Sequence, residues 1–284
     1  MTNKKPENIT EYSRWLKDKQ GVLITNRTEA YYNTVASQVK SDFEGSDFWN
    51  CFTQNLKEYN DEYLLQTRYS LLRDTKPLLL IKPYVSTLMK TYRKNVVDNK
   101  NWPKEPKVGW ILPNNWFLRI NDIIRTLIEV KYLDGVEFLI GKIKTNCQEQ
   151  NIPCRAILEA REEGYYAAHL YIKKEFEIPK VTWDTEKIEL NIEIQITTQL
   201  QEVIRKLLHS YYEDRRKKAK SSGEVKWQWN YKSDEFTANY LGHILHYVEG
   251  MIVEIKDKQY MKEQSIWNQN LRIISRQSEW QRFL

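Results

Sequence analysis

Residues 188–196 constrain the fold more than any other stretch of the chain. They read Ile-Glu-Leu-Asn-Ile-Glu-Ile-Gln-Ile, so apolar and polar side chains alternate without interruption. A period of two with β-branched residues predicts a strand that buries one face. The opposite face carries Glu189, Asn191, Glu193 and Gln195. Such a face is either the solvated surface of an ordinary sheet or the floor of a polar site.

A helix is predicted to follow this strand directly. Thr197 and Thr198 offer an N-cap, because a threonine hydroxyl accepts a hydrogen bond from the free amides of a first helical turn. Apolar residues then recur at helical spacing: Leu200, Val203, Ile204, Leu207, Leu208 and Tyr211.

The residues before this unit add further strands and a helix. Alternation predicts strands over 127–133, 156–159 and 165–172, and an amphipathic helix over 134–150 lies between the first two. Strands interrupted by a helix and a turn are typical of an α/β (α+β) fold. We therefore expect a mixed β-sheet flanked by helices.

The 284 residues are predicted to form three regions. A helical N-terminal region covers 1–75, a core covers 76–233, and C-terminal helices over 234–284 pack on that core. The chain has no run of about 18 apolar residues, so no membrane span is expected. A polar start and three scattered cysteines are typical of a protein of the reducing cytoplasm.

Charge is unevenly distributed along the chain. The net charge is +6, but residues 76–125 hold ten Lys and Arg against three Asp and Glu, and residues 205–226 hold eight against three. Two basic segments on either side of the polar strand indicate an anionic ligand. The alternative is simple solvation of exposed helix faces.

The first basic segment contains a candidate phosphate site. Ser86 is a predicted helix cap, and Ser86, Lys90 and Arg93 have the spacing i, i+4 and i+7, which places them on one helix face. A hydroxyl and two cations at a helix start are typical of phosphate binding.

Asp122 stands among isoleucines and needs a partner, because an unpaired buried charge is costly. Either Arg125 or a metal ion would serve. Farther along, His243 and His246 share a helix face with Glu249, and we interpret these histidines as packed or hydrogen-bonded rather than as metal ligands.

Four segments in order, over roughly residues 80–212, together resemble the synthetase domain of the RelA/SpoT family, whose members make (p)ppGpp. Lys82, Ser86 and Lys90 resemble its ATP-binding helix, and Asp122 resembles its magnesium-binding aspartate. Residues 161–169, Arg-Glu-Glu-Gly-Tyr-Tyr-Ala-Ala-His, resemble its acceptor loop. Glu193-Ile194-Gln195 resembles its second acidic motif, and His209 falls where the family has a histidine on the next helix.

The resemblance implies a nucleotidyltransferase-like synthetase domain and an enzyme. It would transfer the β,γ-pyrophosphate of ATP to the ribose 3′-hydroxyl of a guanosine nucleotide, with AMP leaving. By the same resemblance, the catalytic and Mg²⁺-binding residues are Asp122 and Glu193. The ATP-binding residues are Lys82, Ser86, Lys90 and Arg93, and the acceptor-binding residues are Arg161, Tyr165, His169 and Gln195.

The chain also departs from the family pattern. Leu80 replaces an adenine-stacking arginine, Arg125 replaces a glycine, and Leu127 and Thr197 replace arginines. No hydrolase half and no regulatory tail of the long enzymes are found, so the chain resembles a small stand-alone synthetase. Two alternatives therefore stay open. One is a toxin that pyrophosphorylates the 3′ end of tRNA, with an antitoxin protein as a further partner, and the other is a non-catalytic module that binds RNA or protein.

Overall fold

The structure is a computed structural model that describes residues 4–179, 184–208 and 226–282, with side chains described as far as residue 266. Its centre is a five-stranded sheet in the order β1-β2-β5-β4-β3. The strands are β1 (Leu80–Ile81), β2 (Ile124–Val130), β3 (Cys154–Ala160), β4 (Tyr166–Pro179) and β5 (Thr185–Thr198). Only β2 and β5 pair in parallel, and the other neighbours are antiparallel. The predicted mixed sheet with flanking helices is confirmed.

Strand β5 contains the whole predicted segment 188–196. The apolar residues of that segment are buried: Ile188, Leu190, Ile192, Ile194 and Ile196. Helix α7 (Gln199–Leu207) follows at once, and the Thr198 hydroxyl accepts a hydrogen bond from the Gln201 amide at 3.2 Å. The strand, its buried face and its threonine cap are therefore as predicted, while residue 209 and Tyr211 lie outside the described residues.

Strand β2 lies three residues earlier than the predicted strand over 127–133, so that prediction is wrong in position. The buried side chains of β2 are Ile124, Thr126, Ile128 and Val130. Residues 131–133 bend instead, because α6 (Asp134–Glu149) begins immediately afterwards and the chain must turn to place it on the sheet. The shift places Asp122 at the mouth of the strand rather than well before it.

Three helices precede the sheet: α1 (Ile9–Gln20), α2 (Asn26–Glu44) and α3 (Asp47–Thr67). Polar caps start two of them, since the side chain of Asn8 accepts from Glu11 N and that of Ser46 accepts from Trp49 N. Their inner faces bury large aromatic side chains: Tyr12, Tyr32, Phe43, Phe48, Phe52 and Tyr63. This layer supports the strand that enters the site, because the Tyr32 hydroxyl donates to Lys82 O at 2.6 Å.

Helix α4 (Tyr84–Tyr92) follows β1 and continues into a π-helical turn, Arg93–Val97. Its cap is Pro83 rather than Ser86, which lies exposed in the first turn, so the predicted cap is wrong. Proline is compatible with this place because it lacks the amide that a helix start leaves unbonded. A short helix α5 (Trp116–Arg119) then leads to β2.

The long helix α8 (Asp234–Arg282) packs against α7 and the turn before β4. Its Gly242 touches Gly164 of the turn before β4, and a Cβ at Gly242 would lie 2.3 Å from Gly164 O. Lys256 is buried, with Nζ 2.5 Å from Asp134 Oδ2. No helix within the described residues is long and apolar enough to cross a membrane. The division of the chain into three regions stays a prediction.

Candidate functional site

The candidate site lies on the face of the sheet opposite the isoleucines of β5. Paired residues of neighbouring strands point to the same face. The register pairs Arg125 with Glu193, Tyr171 with Glu193, and His169 with Gln195. This face, which we call the open face, therefore collects polar side chains from β2, β5 and β4.

Asp122 forms the centre of one half of the site. Lys90 Nζ lies 2.7 Å from its Oδ1 and Lys82 Nζ lies 3.1 Å from its Oδ2. All three side chains are largely buried. Burial on its own raises the pKa of Asp122, but Lys90 and Lys82 act in the opposite direction and bring that pKa well below its ordinary value. The partners of this carboxylate are thus two lysines, and the pair with Arg125, one of the two predicted alternatives, is not formed.

A backbone hydrogen bond also fixes the position of Lys82. Lys82 N donates to Ile123 O at 2.7 Å, which continues the pairing of β1 with β2 beyond the two named residues. Lys90 projects from α4, so a strand and a helix each bring one ammonium group to Asp122. The pKa of Lys82 is lowered, first by burial.

Two of the four predicted ATP-binding residues do not reach this cluster. Arg93 lies in the π-helical turn, where its Nε is 3.6 Å from Asp98 Oδ2. Ser86 is exposed in the first turn of α4. The pKa of Lys94, the next residue, is lowered first by desolvation and then by the charge of Lys90.

Glu193 forms the centre of the other half. Its side chain is 7% exposed, and its Oε1 lies 2.8 Å from His169 Nδ1. The second ring nitrogen of His169 lies 3.0 Å from Glu159 Oε2 and 3.1 Å from the Tyr165 hydroxyl. His169 therefore holds Glu193 in a fixed orientation from the neighbouring strand.

Gln195 and Tyr165 complete this hydrogen-bonded chain. Gln195 Nε2 donates to the Tyr165 hydroxyl at 2.8 Å. Burial raises the pKa of Tyr165 to about 12, so the phenol stays protonated at neutral pH. The Arg161 guanidinium lies 4.9 Å from the centre of the Tyr165 ring and 2.7 Å from Glu159 Oε1. All four predicted acceptor-binding residues thus meet at one end of the open face.

The two halves border the same part of the sheet. Burial raises the pKa of Tyr171, and the charges of Glu193 and Asp122 raise it further, which places this phenol in the field of both carboxylates. Asn191 Nδ2 donates to Asn121 Oδ1 at 3.0 Å, one residue from Asp122 and two from Glu193. Asp122 is thereby tied to the strand that carries Glu193.

Sequence reasoning missed Tyr171 and Arg205. Tyr171 follows His169 by two residues, so the two side chains share a face of β4, and this spacing was the signal that could have identified Tyr171. Arg205 on α7 is held by Glu202, with Nε 2.5 Å from Oε2, and its charge acts on the Tyr165 phenol. A glutamate and an arginine at i, i+3 were visible in the sequence, but only the fold brings them to Tyr165.

The histidines of α8 pack against Tyr166 and the turn before β4. His243 Nδ1 is 2.8 Å from the Tyr166 hydroxyl, and the His246 ring stacks on Tyr166 with centroids 3.7 Å apart. Glu249 receives a hydrogen bond from Gln201 instead of joining them. Both histidines are packed or hydrogen-bonded, as predicted. His209, which resembles the family's histidine on the helix after β5, lies outside the described residues.

Asp122 and Glu193 are the two carboxylates that the resemblance implies as Mg²⁺ ligands. Among the described residues, no group of three or more His, Cys, Asp and Glu side chains is arranged to hold a metal. Mg²⁺ commonly uses one or two carboxylates together with substrate phosphates and water, rather than a complete protein cage. The two hard oxygen donors Asp122 and Glu193 fit an ion that arrives with a polyphosphate.

No protein-family model matches this chain. No curated protein matches it either.

Several solved structures are similar to it. The small alarmone synthetase 1 from Bacillus subtilis has a TM-score of 0.49 and 16% identity, over 82% of this chain and 96% of that one. A GTP pyrophosphokinase family protein from Streptococcus pneumoniae has a TM-score of 0.48 and 15% identity, over 82% and 95%. The small alarmone synthetase 2 from Bacillus subtilis has a TM-score of 0.43 and 15% identity, over 82% and 99%. Small alarmone synthetases are thus among the solved structures to which this chain is similar, at identities of 15–16%.

Proposed function

We propose that this chain is an ATP-dependent pyrophosphotransferase and that its acceptor is a guanosine nucleotide. The observation that supports it best is the pairing of two unlike half-sites on the open face. One half is a carboxylate held by two lysines, and the other is a carboxylate held in a histidine–tyrosine–glutamine network. Phosphoryl-group transfer needs such positioning and charge neutralisation more than covalent help.

The lysine half would bind the donor. Lys82 and Lys90 are point charges near one carboxylate, so a triphosphate would exchange their ion pairs with Asp122 for pairs with phosphate oxygens. Ser86, one turn before Lys90, extends the same face of α4 toward solvent. Arg93 is left out of this proposal because its guanidinium pairs with Asp98.

The histidine half would bind the acceptor. Tyr165 offers a ring on which a base would stack, and Gln195 would orient the ribose or base beside it. The exposed guanidinium of Arg161 would meet an acceptor phosphate. Arg205 adds a second cation on the other side of the Tyr165 phenol.

The reaction itself would take place between the halves. The 3′-oxygen of the acceptor ribose forms a bond to the β-phosphorus of ATP, and the bond from that phosphorus to the oxygen bridging it to the α-phosphate breaks. AMP leaves, and the hydroxyl proton passes to Glu193. His169 acts as a positioning residue, since its Nδ1 fixes one oxygen of Glu193. Magnesium, held by Asp122 and Glu193 when bound, would neutralise charge on the phosphates.

A label-transfer experiment tests this proposal. The full chain is incubated with magnesium, ATP labelled at the γ-phosphate, and either GDP, GTP or deacylated tRNA, and the labelled product is separated. Label on the guanosine nucleotide is the expected result. Label on tRNA instead would mean that the acceptor is tRNA and not a guanosine nucleotide. Label on neither would overturn the proposed activity in favour of a non-catalytic binding module.

A further inference from the structure

We propose that Arg125 is a third phosphate-binding cation of the donor site, placed between the two lysines and Glu193. This inference rests on the proposed function.

The sheet places Arg125 at the boundary of the two half-sites. It pairs with Leu80 across β1 and β2, and with Glu193 across β2 and β5. Neighbouring strands are about 4.8 Å apart, so its side chain leaves the open face directly beside that of Glu193. Asp122 lies three residues earlier on the same segment.

The guanidinium of Arg125 is half-buried and unpaired. Within the described residues, it makes no ion pair and no side-chain hydrogen bond. The two nearest carboxylates have other partners, since Asp122 binds Lys82 and Lys90, and Glu193 binds His169. A partly desolvated cation without a counter-charge is costly to maintain, which is the arrangement expected where an anionic ligand supplies the missing charge.

The charge of Arg125 acts on the donor cluster. Lys82 and Arg125 lie on neighbouring strand segments, since Lys82 N donates to Ile123 O and Arg125 pairs with Leu80. Lys82, Lys90 and Arg125 thus lie near Asp122, and Arg125 also lies beside Glu193, which leaves an excess of positive charge. A triphosphate compensates this excess.

The position of Arg125 in the sheet determines which part of ATP it would contact. Lys82 and Lys90 bind Asp122 from the end of β1 and from α4, whereas Arg125 pairs with Glu193, the proposed proton acceptor, across β2 and β5. Its planar fork of donors suits two oxygens of a phosphate at once. We assign it to the β,γ-pyrophosphate and not to the nucleoside, because that is the group that must approach Glu193.

Binding measurements test this assignment without requiring turnover. The probes are α,β-methylene-ATP, which carries the pyrophosphate end, and AMP, which lacks it. Arg125→Leu should weaken binding of the first by about tenfold or more and leave AMP unchanged. Arg125→Lys should fall between, because it keeps the charge without the fork. Arg73→Leu removes an arginine that is already paired with Glu129 beside the same strand and should change neither affinity.

Each outcome decides the inference. Equal affinity of the wild type and Arg125→Leu for the analogue would overturn it, as would an equal loss for AMP or failure of the wild type to bind the analogue. Arg125→Gln serves if the leucine variant melts at a lower temperature. Arg125-dependent binding of the analogue without label transfer would keep this inference and refute the proposed function.

Discussion

Lys90 Nζ lies 2.7 Å from Asp122 Oδ1, and this pair makes the donor half of the site sensitive to acid. The folded-state pKa of Asp122 is below its ordinary value near 3.8. The carboxylate therefore contributes stability above its ordinary pKa, and that contribution is lost as the pH falls toward the folded value.

Replacing Asp122 with Asn should remove this pH-dependent contribution. At pH 7 the free energy of unfolding should fall by about 3 kcal/mol, because two largely buried lysines lose their counter-charge. The measurement is urea unfolding of both proteins at pH 7 and near pH 3. The difference should shrink at the lower pH, and a difference of equal size at both pH values would contradict the account of Asp122.

Glu193→Gln tests the role of the second carboxylate. We expect label transfer to fall by about 10²–10⁴-fold, the range for loss of a general base, while the thermal midpoint changes little because the amide still accepts from His169. Glu189→Gln is the matched control, since Glu189 lies on the same strand but is exposed and paired with Lys173. Loss of activity in the control, or its retention in Glu193→Gln, would contradict the assignment.

The contact between Gly242 and Gly164 predicts a strong effect of a single methyl group. Gly242→Ala would place its Cβ 2.3 Å from Gly164 O, and Gly164 has a φ of 77° that only glycine adopts readily. We expect a loss of about 2 kcal/mol or more and a displaced turn before Tyr165. Gly250→Ala, in the same helix with open space around it, should stabilise by up to about 1 kcal/mol. Equal melting temperatures of the two variants would refute this account of the helix contact.

Glu249 gives a pH dependence of the opposite sign to that of Asp122. Burial raises its pKa, with hydrogen bonds from Thr198 and Gln201 in partial opposition, and its Oε1 is buried without a partner. The folded state binds this proton more tightly, so stability is lost as the pH rises from the ordinary value near 4.5 through the raised folded value. Glu249→Gln should stabilise the protein by about 1 kcal/mol at pH 7. Thermal melts between pH 4.5 and 7 should show a flatter profile for the variant, and parallel profiles would contradict it.

Local patterns in the sequence predicted those parts of the molecule that depend on neighbouring residues. The alternation of 188–196 and the Thr198 cap were sufficient because strand period and capping are local. Leu88, Tyr92 and Val96 lie four residues apart, a spacing typical of one helix face, and all three are buried.

The remaining features depend on distant contacts. The start of β2 is set by its pairing with two strands, since Ile124 pairs with Ile81 of β1 and Arg125 with Glu193 of β5. Arg205 reaches Tyr165, and Gly242 reaches Gly164, only after the chain has folded, so no local pattern marks either pair.

The measurement that tests the central claim most directly is the phosphorus balance of the reaction. ³¹P NMR of the full chain with ATP, magnesium and an acceptor should show AMP and an acceptor that carries a 3′-diphosphate in equal amounts. ADP together with a monophosphorylated acceptor, or ADP and free phosphate, would mean that one phosphoryl group is transferred instead of two, and would contradict the account.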